Sequence, residues 1–170
     1  MKKLKIATVS ISLLIIMSGT VVSPIISDLK NYFDDASQPL VVLVLTLPSL
    51  FIIPFSFLAA LLAKKISKKR LVLIALLGYV IGGFGGSFLH RLDILLLFRA
   101  LLGASIGILS PMSNGLIAEY FFDKEKTEMM GYSAASNNLG GGISTILAGF
   151  LANIFWRYVF YIYLIGIIVF

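Results

Sequence analysis

One cation stands alone in an apolar block. Arg99 lies in the run from Ile94 to about Phe122, where the next charged residue is Glu119 near the far end. At the rise of an α-helix it sits ~8–10 Å inside the segment. A helix that crosses a bilayer carries an arginine there at a cost of up to ~2.5–3.5 kcal/mol. Such residues face a cavity or a partner, or their long stem lifts the charge back to the interface. Arg99 shares one helix face with Gly103, Gly107, Ser110 and Asn114, at spacings of three and four. That stripe predicts a polar pathway as its surroundings. Asp28, on the same membrane side, is the candidate counter-ion, and Glu119 a second acidic candidate at the opposite end.

Two more stripes carry polar and small side chains. One runs through Ser133, Asn137, Gly140, Ser144 and Ala148, the other through Thr8, Ser12, Gly19, Ser23 and Ser27. Small residues let helices pack closely in lipid, and the glycines fit that use best. Asn114, Asn137 and Asn138 serve equally well as walls of a water-filled pathway or as interhelical hydrogen-bonding groups. Gly78, Gly82 and Gly86 repeat at four-residue spacing and predict a packing face.

Other chemistries are poorly provided for. There is no cysteine and a single histidine, His90, so neither a thiolate nor a multi-histidine metal site is available, and no cofactor is expected. Gly103-Ala104-Ser105-Ile106-Gly107 has the spacing of a hydrolase elbow. It falls inside a spanning helix rather than at a strand-to-helix turn, with His90 as its only conceivable base. Gly140-Gly141-Gly142 has no strand before it and no phosphate-loop lysine after it.

The elements that must position these residues follow from hydrophobicity. Apolar residues make up 59% of the chain and mean hydropathy is +1.01, while only 14 basic and eight acidic side chains are spread over 170 residues. That is too little polar surface to coat a water-soluble fold. Six apolar blocks predict an all-α membrane protein of six spans, at 6–26, 40–63, 71–89, 94–122, 129–154 and 158–170, the last cut short. Polar stretches separate them, among them 27–39 and the charged loop 123–128. Lys2, Lys3 and Lys5 could open a cleavable signal, but the first apolar run is long enough to span and is expected to be retained.

The net charge of +6 does not indicate nucleic acid, because the cations lie in the gaps between apolar blocks. Three lysines or arginines precede the first block, five follow the second and two follow the fourth. This bias predicts a cytoplasmic N-terminus. The final block, Tyr158 to Phe170, supplies ~20 Å of helix against a ~30 Å hydrocarbon core, and the chain reads as a truncated product. Ser23-Pro24 and Ser110-Pro111 fall in blocks three apart, a weak sign of a three-plus-three inverted repeat.

Together these positions resemble the major facilitator superfamily over essentially the whole chain. The gap after the second block is similar to the family's loop signature, Leu-Ala-Asp-Arg-x-Gly-Arg-Arg preceded by a small residue. Here Ala60, Leu62, Ala63, Lys64, Lys65, Lys68, Lys69 and Arg70 occupy it, with Lys64 in place of the aspartate and Ser67 in place of a glycine. Arg99 followed by Gly103 and Gly107 matches the family's fourth helix. Gly131, Gly140 and Gly149 match its antiporter glycine pattern, where Ser144, Thr145 and Ala148 replace glycine, proline and glycine. Trp156-Arg157 before the sixth block is also family-like.

The resemblance implies the N-terminal half of a multi-pass cell-membrane transporter, exporting a drug or metabolite in exchange for protons. Its partners would be the lipid bilayer, the small-molecule substrate and a missing C-terminal half. It places Arg99 at the transport cavity. Asp28, Glu119 or a residue of the second half would carry the proton. Two rival readings are a self-contained six-span binding or accessory protein and an intramembrane hydrolase.

Overall fold

The computed structural model describes residues 2–88 and 90–169. Among them the chain is all helix and turn, with no strand. The helices are α1 (Lys2–Thr20), α2 (Ile26–Tyr32), α3 (Gln38–Leu62), α4 (Lys68–Phe84), α5 (Leu92–Tyr120), α6 (Asp123–Ile154) and α7 (Ile165–Val169). Three 3-10 segments interrupt them: Ser23–Ile25 between α1 and α2, Gly85–Phe88 after α4, and Trp156–Leu164 before α7.

Four helical stretches are long and apolar enough to cross a membrane: Leu4–Tyr32, Gln38–Leu62, Lys68–Phe88 and Leu92–Tyr120. A shorter apolar stretch covers Trp156–Val169. At 32 residues α6 has the length to span, but its glycines, serines and asparagines dilute its apolar character. The surface is apolar where a soluble protein's would be polar: Phe57, Leu97 and Phe150 are 70%, 69% and 72% exposed. Such a surface is stable against lipid and not against water.

Element boundaries depart from the hydropathy blocks in three places. The stretch 27–39, expected as a polar connection, is helical as far as Tyr32, because Pro24 breaks the first helix only locally and α2 resumes at Ile26. The charged run 123–128, expected as a loop, forms the opening turns of α6, where Asp123 and Glu125 lie favourably at the positive end of the helix. The sixth block begins as a 3-10 segment. The two Ser-Pro pairs also behave differently, since Pro111 lies within a continuous α5. Leu89 and Phe170, ends of two expected spans, lie outside the described residues.

The core is built around α5. Both α3 and α4 pack along it, α1 packs on α6, and Trp156–Leu164 wedges between α4 and α6. The α4–α5 seam is tight. A methyl group added to Gly82 would lie 2.7 Å from the Leu102 nitrogen and 2.9 Å from the Phe98 oxygen, backbone that cannot yield. Gly78 faces Ser105, and Gly86 faces Phe160 and Leu95. The expected packing face at Gly78, Gly82 and Gly86 is therefore present. Gly103 and Gly107 bring α5 against the backbone of α3 at Pro48 and Ile52.

Candidate functional site

Arg99 is carried by α5, two turns in from its start, and is 1% exposed. It does not snorkel. Its Nη1 donates to the hydroxyl of Tyr163 at 2.9 Å, and its guanidinium lies over the rings of Phe160 and Tyr163, 4.9 and 5.3 Å from their centroids. The Tyr163 hydroxyl in turn donates to the Ser18 carbonyl at 3.1 Å. That acceptor is available because α1 ends at Thr20, which leaves last-turn carbonyls without a helical ladder partner. Tyr79 of α4 completes the group, edge-on to Tyr163 with centroids 5.6 Å apart. One guanidinium thus joins α5, α1, α4 and the segment before α7.

Two expectations for Arg99 are corrected by this geometry. The group was expected to face a polar pathway, and aromatic rings enclose it instead. Asp28 was expected as its counter-ion. The ion pairs among the described residues are Lys5–Glu125, Lys68–Glu119 and Arg91–Asp93, and none involves Arg99 or Asp28. Nε and Nη2 of Arg99 and the Tyr79 hydroxyl are buried without a hydrogen-bond partner among the described residues. Burying a cation without an anion is unfavourable by several kcal/mol, so the site holds a charge in a high-energy setting.

The rest of the α5 stripe divides. Gly103 and Gly107 are packing positions, whereas Ser110 is half-buried and Asn114 is exposed. A hydroxyl cluster lies between α1, α5 and α6. Ser12 is 2.6 Å from Ser133 and 3.4 Å from Ser113, and Ser113 donates to the Thr8 carbonyl. One turn along α6, the Asn137 side-chain oxygen is buried and unpartnered among the described residues. Gly140 meets Leu13 of α1, and the Ser144 hydroxyl bonds back to the Gly140 carbonyl. Gly131 and Gly149 have open space where a side chain would project, and Thr145 is exposed. The antiporter-like positions therefore lie on two faces of α6, one against α1 and one uncovered.

Around the turn from α3 to α4, Lys64, Lys65, Lys69 and Arg70 are exposed, as is Ala60, while Leu62 and Ala63 are half-buried. Lys68 pairs with Glu119, tying the start of α4 to the end of α5. A cavity of about 680 Å³ opens beside the pair, lined by Ile11, Ala63, Lys69, Leu76, Leu116 and Val169 among others. Ser105 donates to the Leu101 carbonyl, while His90 bonds Tyr32, so the serine and histidine of the hydrolase reading are not brought together.

Tyr163, Ser18, Tyr79 and Phe160 were missed by sequence reasoning. A usable signal existed for the tyrosines, since a tyrosine buried in an apolar run needs a partner for its hydroxyl.

A sequence model of the Major Facilitator Superfamily matches residues 8–170. The chain is 31% identical over 122 residues to the quinolone resistance protein NorA of Staphylococcus aureus, an alignment covering 72% of this chain and 31% of that protein. It is 27% identical over 100 residues to a triacylglyceride transporter of Mycolicibacterium hassiacum, covering 58% of this chain and 19% of that protein. The chain thus spans under a third of the curated relatives it matches. An all-helical architecture with an apolar outer surface, a buried arginine on α5 and a match over nearly its whole length agree: the chain belongs to the Major Facilitator Superfamily of membrane transporters.

Proposed function

We propose that this chain is the N-terminal half of a secondary transporter that exports a small molecule through the cell membrane by alternating access. In this reading it has six spans with the N-terminus in the cytoplasm, α6 and Trp156–Val169 supplying the fifth and sixth. A second bundle completes the pathway, and the two halves rock about a midplane cavity. Asn114 and Asn138 carry the reading. Both amides lie on membrane-length helices, uncovered by the rest of the chain, and polar groups at that depth are stable only against protein or water. Gly19, Gly131, Gly142 and Gly149, with open space around them, extend the uncovered area. A second half fits against the glycine-rich face of α6, and water and substrate fit between the halves.

Coupling to protons needs a carboxylate that can change its charge. Asp28, Glu119 or a group in the second half would serve. NorA's name refers to quinolone resistance, so a quinolone is the first substrate to test.

The experiment compares quinolone efflux from cells carrying the longer protein, this 170-residue chain, or neither. Energy-dependent efflux by the longer protein, with none from the chain alone, is the expected pattern. Full efflux by the isolated chain would refute the half-transporter reading, and no efflux of any tested small molecule by the longer protein would refute transport.

A further inference from the structure

The only histidine in the sequence takes part in a cluster that the transport reading does not use. At the end of the bundle opposite the N-terminus, three connections converge. Tyr32 ends α2, His90 precedes α5, and Arg157 opens the segment Trp156–Leu164. The Arg157 Nη2 donates to the Tyr32 hydroxyl at 2.7 Å and lies 3.1 Å from Nδ1 of His90, which is itself 2.9 Å from the Tyr32 hydroxyl. The guanidinium rests over the rings of Tyr32 and Trp156, at 5.0 and 5.2 Å.

A guanidinium has hydrogen-bond donors and no acceptor. Nδ1 of His90 can therefore accept from Arg157 only through its lone pair, as it does in the tautomer with the proton on Nε2. Protonation would turn Nδ1 into a donor aimed at a donor. It would also set a positive charge about one hydrogen-bond length from a second one, a repulsion weakened but not abolished by solvent.

The alternative position for a charged imidazole is already provided. His90 borders a pocket of about 480 Å³ whose walls include Asp34, Asp35, Arg91 and Asp93. Arg91 and Asp93 pair with each other, while Asp34, which accepts from the Asp35 backbone N–H, and Asp35 are in no ion pair among the described residues. Lys30 of α2 donates to the Ala36 carbonyl and is held by it. The groups around His90 thus divide: Arg157 and Tyr32 meet its Nδ1, and the aspartates line the pocket that it borders.

What the cluster joins gives it leverage. Each of the three connections reaches the bundle through a 3-10 segment, Ser23–Ile25, Gly85–Phe88 or Trp156–Leu164. Such segments have poorer hydrogen-bond geometry than an α-helix and often mark hinges. We infer that Tyr32, His90 and Arg157 form a proton-sensitive clasp, closed when His90 is neutral and opened when the protonated ring turns toward Asp34 and Asp35. Opening would free the ends of α2, the α4–α5 connection and the α6–Trp156 junction from one another. This goes beyond the transport reading and stands whether or not the chain carries protons.

Native cysteines are absent, so paired spin labels at Asn31→Cys and Asn153→Cys report without interference from other thiols. Distances are measured for the 170-residue chain in lipid nanodiscs between about pH 7.5 and 5.5, a range that brackets ordinary imidazole titration. The expected result is a shift to a longer or broader distribution as pH falls. His90→Gln keeps an acceptor but does not titrate, and should hold the closed distance throughout. Arg157→Gln removes the opposing cation, and the pH step should vanish with it. No step in the parent chain, or a step of the same size in either variant, overturns the clasp; a step that survives His90→Gln would assign the titration to the aspartates.

Discussion

Arg99 and Arg157 solve the same problem in different solvents. Each guanidinium donates to one tyrosine hydroxyl and lies over aromatic rings, and neither is paired with a carboxylate. Arg157 is half-buried at an end of the bundle, where the His90 ring adds a contact and only its Nε is buried without a hydrogen-bond partner among the described residues. Arg99 is sealed between α5, α4 and the Trp156–Leu164 segment, with two nitrogens unpartnered among the described residues. Aromatic faces and a phenol suffice to hold a guanidinium near water. In the interior they leave its charge largely uncompensated, which is a poor way to build stability and a sensible way to hold a charge ready for function.

The sharpest break of that comparison is Arg99→Met in the longer protein. Transport should fall more than about tenfold, equivalent to ~1.4 kcal/mol, while the thermal midpoint in detergent does not drop, because an apolar side chain suits the site better than an unpaired cation. Arg157→Met should show the reverse pattern, with transport near normal at neutral pH and a lower midpoint. Tyr163→Phe is the next largest effect. It leaves Arg99 Nη1 and the Ser18 carbonyl without their shared partner, and should destabilise the chain by ~1–3 kcal/mol, read by denaturant or thermal unfolding.

Tyr32→Phe makes the matching change in the wetter cluster, where water can replace the hydroxyl. Its cost should stay below ~1 kcal/mol in the same assay. Glu119→Gln gives the smallest shift, ~0.2–1 kcal/mol, since the Lys68–Glu119 pair is exposed to solvent and screened by salt. Raising the salt concentration should erase the Glu119→Gln difference and leave the Tyr163→Phe difference intact. A salt-sensitive Tyr163 effect would mean that Arg99 is in contact with bulk water after all.

Hydropathy made the helices readable because lipid demands unbroken apolar runs, whatever the tertiary partners. The depth of Arg99 and the Gly78-Gly82-Gly86 seam were legible for the same reason, since both follow from helical spacing within one segment. The partner of Arg99 was not. Tyr163 lies 64 residues away, and the stripe of small residues below Arg99 suggested a pathway where Gly103 and Gly107 in fact seat α3. Asp28 looked suitable by sign and membrane side alone, but side-chain reach depends on helix rotation, which spacing does not give. The helical start at Asp123 was hidden by its charge, although acidic residues belong in a helix's first turn.

The seam between α4 and α5 has a mechanical corollary. With Gly82 lying directly against the main chain of Leu102 and Phe98, the two rods share a single splint and cannot slide without steric collision. The α1–α6 boundary is built differently: the hydroxyls of Ser12, Ser113 and Ser133 meet there, and a hydroxyl donates or accepts as its neighbours require.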